Sequence, residues 1–145
     1  DSITGTSYSD TSGNHTQTYH YVVVAVNSQG GSPPSNEVSA ATTPYSWTVD
    51  ANGNWSSVSN WGQTNHPDGL GRAVIFGPLI TAARTVTLDT NATVGSLLFN
   101  EDTVTANAYA VSFNAGRSLT FDVSAGQAAI NARGVGGYQI GTQGT

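Results

Sequence analysis

The side chains able to do acid–base or metal chemistry are few and scattered. Asp50, Asp68, Asp89, Asp102 and Asp122 are spread along the chain, each in a turn-like setting. Glycoside cleavage needs two carboxylates flanking one bond, and elimination needs a carboxylate or metal beside a base. Single turn aspartates serve another purpose, since the short carboxylate bonds the backbone of its own turn. His15, His20 and His66 have no metal-ligand spacing, and there is no Gly-x-Ser-x-Gly elbow or phosphate loop. The segment "DANGNW" sets Asp50, Asn52 and Asn54 at the one–three–five spacing of a calcium loop. It lacks the glycine that should follow and the distal bidentate glutamate, so it reads as a polar turn. These patterns predict no enzyme site, no cofactor and no metal.

Two further sets of residues bear on binding. Trp47, Trp55 and Trp61 fall within fifteen residues. Their faces would suit the apolar faces of sugar rings, a carbohydrate-binding platform. The competing and favoured reading makes them a plug of buried indoles. Asn14, Asn54 and Asn91 each begin an Asn-x-Ser/Thr triplet. Such triplets arise by chance in a chain rich in Asn and Thr, but a hydroxyl-rich surface without lysine also suits a glycosylated extracellular protein.

The composition sets the frame for all of them. In 145 residues only 9% are charged, and the cations are Arg72, Arg84, Arg117 and Arg133. A net charge of −5 argues against nucleic acid, which is held by clustered cations. Seventeen glycines with abundant Thr, Val and Asn disfavour helix, whereas Thr, Val, Tyr and Phe suit a pleated surface. Without cysteine there is no disulfide or thiol chemistry. No apolar run approaches the roughly 20 residues of a bilayer-spanning helix, and the opening residues are not expected to act as a signal peptide. The opening Asp1-Ser-Ile-Thr, without Met, suggests a piece excised from something longer.

The elements that must position these residues fall into two halves. Tyr19, Tyr21, Val23 and Ala25 alternate with His20, Val22, Val24 and Val26, predicting a strand buried on one face and partly covered on the other. "NSQGGSPPSN" is a loop, and "EVSAATT" is a short strand that Pro44 ends. Residues 6–44, through "TYHYVVVAVNSQGGSPPSNEV", resemble the last strands of a fibronectin type III domain. The resemblance implies that Tyr19 is the corner tyrosine bonding back to the preceding loop. It also implies earlier strands that seventeen residues cannot supply, leaving Tyr19, Tyr21 and Val23 as an apolar face for other polypeptide to cover.

Residues 45–77 hold all three tryptophans. Short apolar strands separated by Gly, Asn and Asp follow: 84–89, 93–100, 109–114, 118–122, 128–131 and 138–141. Leu88, Leu98, Phe113, Phe121, Ile130 and Ile140 are their inward candidates. Short strands that never resolve into hairpins predict a β-solenoid over a sandwich. The run "GNWSSVSNW", "TVTLD", "TVGSLLF" and "LTFD" (roughly 46–140) resembles the start of autotransporter-associated β-strand repeat proteins. That resemblance implies a right-handed parallel β-helix, a tryptophan cap over its first coil, and a bacterial protein that is secreted or displayed on the cell surface.

The expected organisation is all-β: a partial fibronectin-like sandwich (1–44), a Trp-rich cap segment (45–77) and solenoid coils (78–145). The expected role is a structural or adhesive module, including a filament subunit completed by upstream chain or by neighbouring copies. The alternative is a carbohydrate-binding module on an extracellular polysaccharide-degrading enzyme, with glycans as the partner.

Overall fold

A computed structural model describes residues 3–8, 10, 18–100, 107–124 and 126–143. The chain is all-β: among the described residues the one helical element is a 3-10 turn, Val58–Asn60. The strands are β1 (Thr18–Tyr21), β2 (Val26–Asn27), β3 (Gly30–Gly31), β4 (Val38–Ala41), β5 (Tyr45–Ser46), β6 (Gly53–Asn54) and β7 (Ala73–Phe76). They continue as β8 (Arg84–Leu88), β9 (Ala92–Val94), β10 (Ser96–Asn100), β11 (Tyr109–Phe113), β12 (Leu119–Phe121), β13 (Ala129–Arg133) and β14 (Gln139–Gln143).

The first four strands make two antiparallel ribbons. β1 pairs with β4, Thr18 opposite Ala41 and Tyr21 opposite Val38, and β2 pairs with β3 across a tight turn. The expected continuous strand through 19–26 is interrupted after Tyr21. The reason is local: the Val23 and Ala25 amides donate to the Ser35 and Ser32 hydroxyls rather than to carbonyls. Serine side chains thus replace ladder acceptors where the prolines of the loop deny regular pairing. Val22, Val23, Val24 and Val26 are all exposed, so the expected burial on one face is absent within this segment.

From Tyr45 onward every sheet is parallel. One sheet runs β5–β7–β10–β13, a second β6–β8–β11–β14, and a third pairs β9 with β12. In sequence the chain visits the three sheets in rotation, β7, β8, β9, then β10, β11, β12, then β13 and β14. Residues of one kind therefore stand above one another. Val74, Leu97 and Ile130 share a column, as do Phe76, Phe99 and Ala132, and Val86, Val111 and Ile140.

The side-chain alternation corrects two expectations. Leu97 and Phe99 are buried and Leu98 faces outward, because 93–100 is two strands rather than one. The break falls at Gly95, where a β-carbon would stand 2.7 Å from the Cα of Gly71. Only a residue without a side chain lets two successive corners approach so closely. Ile130 and Ile140 keep the registers of buried residues but remain 52% and 38% exposed, since among the described residues no strand pairs beyond β13 and β14. Phe113 and Phe121 pack partly buried against the core, and Leu88 is wholly buried.

One hydrophobic core runs through the parallel sheets, joining Trp47, Trp55 and Trp61 to Phe76, Val86, Leu97, Phe99, Tyr109 and Val111. Its axis is aromatic. Phe76 stacks on Phe99 with ring centres 5.0 Å apart, and Phe99 on Tyr138 at 4.9 Å.

Candidate functional site

The tryptophan segment is held by both packing and backbone hydrogen bonds. Trp47 follows β5, Trp55 follows β6, and the 3-10 turn brings Trp61 back to bridge Trp47. Bonds from Thr48 N–H to the Asn60 carbonyl and from Gly62 N–H to the Ser46 carbonyl fasten this return. Trp55 is fully buried, and Trp47 and Trp61 are 3% exposed. Trp61 meets Trp47 and Trp55 edge to face at 5.1 and 5.0 Å, and all three lie within 6.5 Å of Phe76. The Trp55 indole N–H donates to the Pro67 carbonyl at 2.9 Å, and that of Trp61 to the Trp55 carbonyl at 2.7 Å. Trp47 Nε1 is buried with no acceptor among the described residues.

Trp47, Trp55 and Trp61 are therefore buried against one another rather than set out as open ring faces. A platform needs ring faces in water; here the faces are spent on one another and on Phe76.

The turn carboxylates and amides do something the sequence reading missed. The aspartates were expected to bond within their own turns, but Asp50, Asp68 and Asp89 bond across to a neighbouring circuit of chain, and the Asn52 and Asn91 amides do the same. Asp50 accepts from the Thr81 amide and hydroxyl and from Arg84, with which it forms an ion pair at 2.7 Å. Asn52 accepts from Thr85 N–H, Asp68 from Thr93 N–H and Asn91 from Ser118 N–H. Asp89 accepts from the amide and hydroxyl of Ser56, the latter at 2.6 Å. An available signal was the recurrence of Asx at strand ends, though nothing local says which backbone each one meets.

The charges reflect these partners. Arg84 and the two Thr81 donors lower the Asp50 carboxyl from the ordinary 3.8 to about 2. For Asp89 burial acts to raise the carboxyl, and the Ser56 hydroxyl and amide outweigh it, leaving the group below its usual range. The one–three–five trio does not converge on a cation. Asp50 and Asn52 are engaged with the next circuit, while Asn54 is an exposed strand residue whose carbonyl accepts from Ser57 and Asn60. Among the described residues no group of three His, Cys, Asp or Glu is placed to hold a metal. Asp102 and His15 lie outside the described residues.

Of the glycosylation triplets, Asn14 lies outside the described residues. Asn54 and Asn91 are exposed. The Ser56 hydroxyl of the first triplet is committed to Asp89, and Asn91 Oδ1 to Ser118. On the ribbon, Tyr19 and Tyr21 are half-buried, 6.5 Å apart, and Val23 is 65% exposed. Tyr21 donates its hydroxyl back to the preceding segment, reaching Asp10 at 3.0 Å. Burial raises the Tyr21 pKa, and the Asp10 carboxylate adds to the effect. Among the described residues no helix is long and apolar enough to cross a membrane. Comparison of the chain with protein-family models, curated proteins and solved structures found no match.

Proposed function

We propose that the chain is a non-enzymatic structural or adhesive module of a large secreted or surface-displayed bacterial protein. In this reading residues 78–145 are coils of a right-handed parallel β-solenoid, residues 45–77 are a cap over the first coil, and residues 1–44 are part of a fibronectin-like sandwich. The observation that carries it is the commitment of polar and aromatic groups to the stack itself. The indoles that would recognise a sugar are buried, and the turn carboxylates that would do chemistry are bound to neighbouring backbone. A repetitive stack stabilised by neighbour-to-neighbour contacts suits an extended scaffold. The half-covered ribbon face at Tyr19, Tyr21 and Val23 would be completed by upstream polypeptide or by a neighbouring copy.

Polysaccharide titration of the intact chain tests the proposal, read by tryptophan emission and by co-sedimentation with insoluble glycans. The scaffold reading expects no saturable response in either. Saturable binding would replace it with the carbohydrate-binding alternative. For the filament form, Tyr21→Asp or Val23→Asp should abolish assembly while the parallel sheets stay folded, and unchanged assembly would remove that form.

A further inference from the structure

We draw no further inference here: the strongest candidate, the exposed apolar end of the parallel sheets at Ile130 and Ile140, is an unpartnered face, and nothing in the structure shows what covers it.

Discussion

Replacing Trp55 with alanine should be among the most damaging single changes in the molecule. The side chain is wholly buried, packs against Trp61 at 5.0 Å and Phe76 at 6.5 Å, and donates to the Pro67 carbonyl. Truncating a buried tryptophan costs about 3–5 kcal/mol through lost transfer energy and the cavity left behind. The upper part of that range applies, because Trp61 and Phe76 lose a common neighbour and Pro67 loses its donor. A domain of this size has roughly 5–15 kcal/mol in total, so Trp55→Ala removes a third of it or more. With a urea slope of about 2 kcal/mol/M, the midpoint should fall by about 1.5–2.5 M. Trp55→Phe separates the contributions: it keeps most of the packing and leaves the buried carbonyl unbonded, costing about 1–3 kcal/mol. Urea unfolding followed by far-ultraviolet circular dichroism reads both variants. A loss below about 1 kcal/mol for Trp55→Ala would refute the reasoning, since no fully buried indole could be so dispensable.

Three other outcomes follow from the packing and hydrogen bonds. Gly95→Ala should lower the melting temperature by several degrees, because its β-carbon meets the Gly71 backbone; Gly137→Ala, with nothing within 4 Å, should leave it nearly unchanged. Leu97→Ala should cost about 2–5 kcal/mol in urea unfolding and Leu98→Ala clearly less, the reverse of a continuous-strand assignment for 93–100. The Asp50 carboxyl is depressed in the folded state, so its stabilising contribution is full above the ordinary value of 3.8 and disappears as pH falls through about 2. Melting temperatures measured across that range should fall less steeply for Asp50→Asn than for the natural chain; parallel curves would remove Asp50 as an acid-sensitive link.

Strand existence was legible because it rests on composition: "RTVTL", "YAVSF" and "LTF" bring β-branched and aromatic residues between turn formers, and all three are strands. Register was not. Whether Leu97 or Leu98 turns inward depends on the corner at Gly95, and that corner exists because of Gly71, which lies in an earlier circuit. A period-two pattern inverts with a one-residue slip, so a single unnoticed corner exchanges core and surface. Burial of the tryptophans could be argued from their clustering in one segment ahead of the apolar strands. The destinations of Asp50, Asn52, Asp68 and Asn91 could not, because each accepts from a backbone amide 25 to 33 residues away whose nearness follows only from stacking. Glycine and proline in the 27–36 loop announced a turn, but not that serine hydroxyls would take the place of carbonyls at Val23 and Ala25.

The placement of the indoles also determines what light can report about this protein. All three tryptophans sit beside the first strands of the parallel sheets, packed within 5.1 Å of a neighbouring indole. Among the described residues the other end of the stack carries Tyr138 as its aromatic marker, half-buried against Phe99. Excitation above the tyrosine band therefore reads one terminus of the stack and is blind to the other. Backbone dichroism weighs every strand alike. Melting curves from the two signals coincide when the circuits separate together and part company when β13 and β14 peel away first. The sequence has thus built a spectroscopic vernier into its own axis, with the indoles fixed at one end of the scale.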